Sequence, residues 1–251
     1  MNNTLSKLKP KRHWLRLAIL SLLSLLIVAI GAFTFWAYSG GSATSEALES
    51  LISNENVTVN HDDVITFMPT DKIATSGFIF YPGGRVDARA YAPAAQAIAT
   101  MGHLVVIVPA PLRLAFFNIN KGDTVRQHFP DITEWTVGGH SLGGVAAAIY
   151  ADRNPDIGGL VLWASYPNSS LADRVDLKAV SIYGTNDGLL SAKDIGDFRD
   201  LLPAQTQFVA IEGGNHAQFG WYGPQNGDNV ATISHDEQAA QVIAATLAVL
   251  K

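Results

Sequence analysis

Trp135-Thr136-Val137-Gly138-Gly139-His140-Ser141-Leu142-Gly143-Gly144 is the stretch on which the fold turns. A short β-prone run, Trp135–Val137, leads directly into G-x-S-x-G at Gly139–Gly143. An Ala-rich helical stretch follows and stops at Asn154-Pro155. The five-residue pattern alone is weak, because glycine and serine are common; strand before and helix after give it meaning. Such a turn must hold a serine side chain proud of a sheet. Glycines two before and two after let strand and helix approach without a Cβ between them. The competing reading, a glycine-rich turn with an idle serine, leaves these flanks unexplained.

Outward from that turn, the chain alternates between apolar runs and helical stretches. Upstream, Val57–Val59 and Val64–Met68 read as short edge strands, and Gly77–Tyr81 as an apolar strand ended by Pro82-Gly83-Gly84. A helix is expected from near Pro93, a good first-turn residue, to just before Gly102, a good cap. Leu104–Val108 is the next strand. Downstream, Gly159–Ala164, Val180–Tyr183 and Gln207–Ile211 are three more, and a last helix runs from about Glu237 to Val249. Continuous apolar strands separated by helices predict an α/β fold, a mostly parallel sheet covered on both faces. Ligands of such sheets bind beyond the carboxyl ends of the strands, so chemistry belongs in the loops that follow them.

A serine hydroxyl needs a base to become a nucleophile, and here base and acid should lie on later loops. Of seven histidines, His13 belongs to a basic tip, His61 to an early turn, His103 precedes a strand, and His128 lies in a polar connection. His140 is the variable position of the turn and His235 begins the last helix. His216, in Gly213-Gly214-Asn215-His216 after the strand Gln207–Ile211, is the candidate base. Asp187, in Tyr183-Gly184-Thr185-Asn186-Asp187-Gly188, stands at a strand's carboxyl end and is the candidate acid. Asp194, Asp197 and Asp200 fall on a helix leading away, and Asp173 and Asp176 precede the strand. An oxyanion hole would use the backbone N–H of Leu142, just after the serine, and one from Pro82-Gly83-Gly84, preferably Gly84, with Gly83 or Arg85 as alternatives.

The body from about Val57 onward resembles the α/β-hydrolase superfamily, most of all its compact dienelactone-hydrolase-like members. The resemblance is carried by Phe80-Tyr81-Pro82-Gly83-Gly84, the Gly138–Gly144 turn, Tyr183–Gly188 and Gly213–His216. It implies Ser141 as nucleophile, Asp187 as acid and His216 as base. Dienelactone hydrolases proper carry cysteine where this chain has Ser141. Relatives often insert a helical cap that the short connection Ser165–Ala179 leaves no room for, so an open, uncapped site is expected. Trp221 and Tyr222, in the aromatic and amide-rich stretch 215–229, are candidates to line it. The expected activity is cleavage of an ester or related acyl bond in a small-molecule acyl substrate, with no metal or organic cofactor. An acyltransferase, a peptidase or a non-catalytic surface binding protein would be compatible with the same residues.

The N-terminus carries a different signal. The first 16 residues hold Lys7, Lys9, Lys11, Arg12 and Arg16 and no acid. Leu17–Tyr38 then has no charge, and at about 1.5 Å per residue spans roughly 33 Å, enough for a hydrocarbon core of about 30 Å. Trp14, Trp36 and Tyr38 sit at its ends, where interfacial aromatics are favoured. The basic side predicts residues 1–16 in the cytoplasm, 17–38 as a transmembrane anchor, and the rest outside. A signal peptide cleaved near Ala37-Tyr38-Ser39 is the alternative, although its apolar region would be unusually long. Residues 39–56 read as a linker with a flexible exit at Ser39-Gly40-Gly41-Ser42, and 57–251 as the catalytic domain.

Composition bounds the rest. The 251 residues carry 17 basic and 22 acidic side chains, a net charge of −5, which argues against a nucleic-acid binder. No cysteine is present, excluding a disulfide framework, a thiolate metal site and a thiol nucleophile.

Overall fold

The computed structural model describes residues 12–250. The chain divides between Ser39 and Gly40 into two compact units. The first holds one helix, α1 (Arg12–Tyr38), with Trp14–Tyr38 long and apolar enough to cross a membrane. Lys7, Lys9 and Lys11 of the basic tip lie outside the described residues.

The second unit is built on an eight-stranded sheet: β1 (Val57–His61), β2 (Ile65–Pro69), β3 (Ser76–Tyr81), β4 (Leu104–Ile107), β5 (Glu134–His140), β6 (Gly159–Trp163), β7 (Lys178–Gly184) and β8 (Gln207–Ile211). Their spatial order is β1-β2-β4-β3-β5-β6-β7-β8. β1 pairs antiparallel with β2, and β2 with β4; every later pair is parallel. The helices are α2 (Ser45–Glu49), α3 (Ala92–Thr100), α4 (Lys121–His128), α5 (Leu142–Arg153), α6 (Ala192–Asp197) and α7 (His235–Leu247).

The continuous apolar runs follow from burial on both faces. In β3, Phe78 and Phe80 enter one core while Ile79 and Tyr81 enter the other. β4 and β6 divide likewise, Val105, Ile107, Val161 and Trp163 against Leu104, Val106, Leu160 and Leu162. The first core is closed by α2, α3 and α7, the second by α5 and Val125 of α4. The connection from β6 to β7 carries no helix.

Several boundaries depart from the sequence reading. β5 runs on to His140, because Gly138 and Gly139 keep pairing with β3 and β6. His61 ends β1 rather than a turn. His128, placed in a polar connection, closes α4, a helix that buries only Gly122 and Val125 and so lacks an apolar stripe. The expected flexible exit and linker are seated: Gly41 O accepts the Asp87 N–H at 2.9 Å, the Thr44 N–H donates to Trp221 O at 2.9 Å, and Ala47 is fully buried. Glycine there serves close approach, not freedom.

Candidate functional site

Ser141 is the residue between β5 and α5, at φ 51° and ψ −121°. A non-glycine residue held there costs about 1–3 kcal/mol and persists only where its surroundings fix it. They do: the Ser141 N–H donates to Trp163 O at 2.9 Å, and Ser165 Oγ donates to Ser141 O at 2.7 Å. Packing explains the flanking glycines. A Cβ on Gly143 would lie 2.0 Å from Tyr81 O and 2.4 Å from Pro82 O, and one on Gly139 2.4 Å from the Gly143 carbonyl carbon. Turn, helix and β3 meet where nothing larger than hydrogen fits.

Asp187 and His216 come from the loops after β7 and β8, laced together by the Asn186 N–H on Gly214 O at 2.8 Å and the Gly213 N–H on Thr185 Oγ1 at 2.9 Å. Asp187 Oδ2 lies 2.7 Å from His216 Nδ1, both side chains buried. Its Oδ1 accepts the N–H groups of Leu189 and Leu190 at 2.8 and 2.7 Å. A carboxylate only accepts, so Nδ1 carries the proton. The other ring nitrogen, Nε2, is buried and has no partner among the described residues. The His216 ring lies 4.5 Å from that of His140, the residue next to Ser141.

Leu142 opens α5, so its N–H has no intrahelical acceptor and sits at the positive end of the helix. Gly84 packs on it: a Cβ there would stand 3.0 Å from Leu142 Cδ2. The two alternatives to Gly84 are both occupied. The Gly83 N–H donates to Tyr91 Oη at 3.0 Å and the Arg85 N–H to Arg113 O at 2.8 Å. Gly83, expected from sequence as a possible donor, is not free to serve, because its N–H is already donated to the buried Tyr91 hydroxyl. The Gly84 N–H has no partner among the described residues.

Three of the five rival acids serve elsewhere: Asp194 caps α6 through Ser191, Asp197 pairs with Lys193 at 2.7 Å, and Asp176 pairs with Arg174 at 3.0 Å. Among the described residues no three His, Asp or Glu side chains gather as a metal site would need.

A sequence model of the alpha/beta hydrolase family matches residues 77–240, which includes every site residue above. The chain belongs to the α/β-hydrolase family. Solved structures agree on the fold. One assigned as a dienelactone hydrolase, from Klebsiella pneumoniae subsp. pneumoniae, superposes with a TM-score of 0.56 at 15% identity, covering 74% of this chain and 91% of its own. One assigned as a CIB-like hydrolase, from Thermoplasma acidophilum, gives 0.53 at 12% identity, covering 75% and 96%. No curated protein matches the chain.

In this α/β-hydrolase four further residues support the site, and sequence reading missed their roles. Tyr91 Oη lies 2.8 Å from His140 Nδ1 while accepting the Gly83 N–H. Burial holds the Tyr91 phenol protonated, so it donates to Nδ1 and the His140 proton sits on Nε2. Burial, and then the like charge His216 would carry, hold the His140 imidazole well below its ordinary range, so it is neutral. Asp228 clamps both loops: Oδ1 accepts the N–H groups of Gly188 (3.0 Å) and Asn229 (2.9 Å), and Oδ2 that of Ala217 (2.8 Å). Gly188 and Ala217 are the residues that follow Asp187 and His216. Asn215 is gripped by fully buried Gln238, whose Oε1 accepts its N–H at 3.0 Å and whose Nε2 donates to its carbonyl at 2.8 Å. Gly227-Asp228-Asn229 carries turn-forming residues, but its partners Ala217 and Gly188 stand 11 and 40 residues away along the chain and no sequence pattern points to them.

The two aromatic candidates differ. Tyr222 lies 6.3 Å from the His140 ring and donates its hydroxyl to Gln225 Oε1 at 2.9 Å. Trp221 packs on His235 at 4.3 Å and lines a groove of 490 Å³ with Asn215, Ala217, Gln218 and Val230.

Proposed function

We propose that this hydrolase cleaves an ester or related acyl bond through Ser141, His216 and Asp187. The observation that carries the reading is the buried 2.7 Å Asp187–His216 pair, its imidazole 4.5 Å from the ring of His140, which immediately precedes a serine held at φ 51°. His216 Nε2 takes the Ser141 proton as Oγ attacks the acyl carbon, and Asp187 steadies the imidazolium. The oxyanion is held by the N–H groups of Leu142 and Gly84. Collapse breaks the bond to the leaving alcohol, which receives the proton from His216. Water then adds to the acyl-enzyme by the same route and releases the acid. Each step needs only these groups and water.

Ser141→Ala removes the acyl acceptor, so kcat on p-nitrophenyl esters should fall by about 10³–10⁶ with circular dichroism unchanged. A fluorophosphonate probe should label the wild type and not the variant. Failure of folded wild type to label would refute the reading. We read α1 as a retained anchor with the catalytic unit outside the cytoplasm; a mature N-terminus near Gly40 would show cleavage instead.

A further inference from the structure

The chain enters the second unit beside the loops at the carboxyl ends of its parallel strands. Gly40 lies so close to the loop after β3 that a Cβ would stand 2.1 Å from Arg85 O. Gly41 O accepts both the Asp87 N–H and Arg113 Nη1, at 2.9 and 3.2 Å, and the Tyr222 ring fills the place of a Gly41 side chain. These contacts belong to loops that follow β3, β4 and β8, at the strand ends that also carry Ser141, Asp187 and His216. Arg85 is the neighbour of Gly84, the candidate oxyanion donor. Between Tyr38, the last residue of α1, and Gly40 stands one residue, so their Cα atoms are at most about 7–8 Å apart by covalent geometry alone. If α1 crosses a bilayer, chain length alone keeps the catalytic edge close to the interface.

That edge is dressed for the purpose. The segment after β4 holds two adjacent non-glycine residues in the left-handed region, Leu112 (φ 56°) and Arg113 (φ 53°). Arg113 is also tied to Gly41 and to the Arg85 N–H. The same pinned segment ends in Phe116 and Phe117, 44% and 58% exposed. Two neighbouring phenylalanines held out on a strained, fastened loop are costly in water and favoured in an acyl-chain boundary.

We propose that the catalytic edge lies against the bilayer from which α1 emerges, and that the substrate is a membrane-borne acyl lipid whose ester reaches Ser141 from that side. The substrate half rests on the serine-hydrolase reading; the orientation half does not. The chain has no cysteine, so a single introduced one reports alone. Phe117→Cys and Val175→Cys, the latter 81% exposed on the connection leading into β7 at the opposite strand ends, would be labelled with an environment-sensitive nitrobenzoxadiazole. The full chain would be reconstituted in phosphatidylcholine–phosphatidylglycerol vesicles. The label at 117 should emit blue-shifted from that at 175 and be quenched by doxyl-labelled lipid, while the label at 175 is not quenched; equal emission and quenching at both sites overturns the orientation.

For the substrate half, four EAAAK repeats, about 30 Å when helical, would be inserted between Tyr38 and Ser39. Turnover of dioleoylglycerol in the same vesicles should fall about tenfold or more as the edge leaves the bilayer, while p-nitrophenyl acetate turnover stays the same. Undiminished dioleoylglycerol turnover in the spaced protein overturns the lipid assignment. Loss of p-nitrophenyl acetate turnover in the unspaced protein would refute the hydrolase reading instead, with the quenching result still deciding orientation.

Discussion

Ser141 pays for its exposure with a backbone that glycine would adopt freely. Ser141→Gly should therefore raise stability by about 1 kcal/mol in urea unfolding while abolishing turnover, the reverse of the usual cost of glycine. His140 gives a second prediction at this scale. Its folded-state affinity for a proton is depressed, so below an unfolded pKa of about 6.5 the unfolded chain binds the extra proton. Stability from this group is complete above that pH and is lost as pH falls, by up to about 1.4 kcal/mol per unit. His103 and His235, both lowered by burial, add in the same direction. Urea midpoints between pH 7.5 and 5.5 should fall for the wild type and fall less for His140→Gln. Sequence marked Ser141, Asp187 and His216 because residue type and loop position suffice to nominate them. It could not mark Tyr91 as the partner of His140, since 49 residues separate them and only the packed sheet brings them together.

Between elements, the tightest joint is α5 against β3. Gly143→Ala should destabilise the fold by more than about 3 kcal/mol, read as a lowered melting temperature, because the atoms met at 2.0 and 2.4 Å are backbone and cannot rotate aside. Asp228 joins two loops and no helix. Asp228→Ala leaves three N–H groups without their acceptor, and kcat/KM on a soluble ester should fall about 10- to 100-fold, with Asp228→Asn intermediate. The parallel strands were legible because burial on both faces writes them as apolar runs. α4 was not, since a polar helix stabilised by Tyr150 Oη on Asp123 and by Val125 carries no periodic signature.

Across the whole molecule, residues 40–56 belong to the folded unit. A fragment beginning at Val57 forfeits Ala47 and Leu51 from the first core and the acceptor at Gly41, and should unfold about 2–4 kcal/mol more easily in urea than one beginning at Gly40. The order of loops along the chain was legible; the placement of β4 outside β3, and the antiparallel β1 and β2, were not, because strand neighbours are chosen by long-range pairing. One fastening has a consequence during synthesis. Gln238, in α7, the last of the described helices, holds Asn215 by both its amide and its carbonyl. A polypeptide released just short of it has already made Ser141, Asp187 and His216, but the loop that carries the imidazole has lost its grip at Asn215. A chain cut before Gln238 should therefore lose ester turnover although Ser141, Asp187 and His216 are all present.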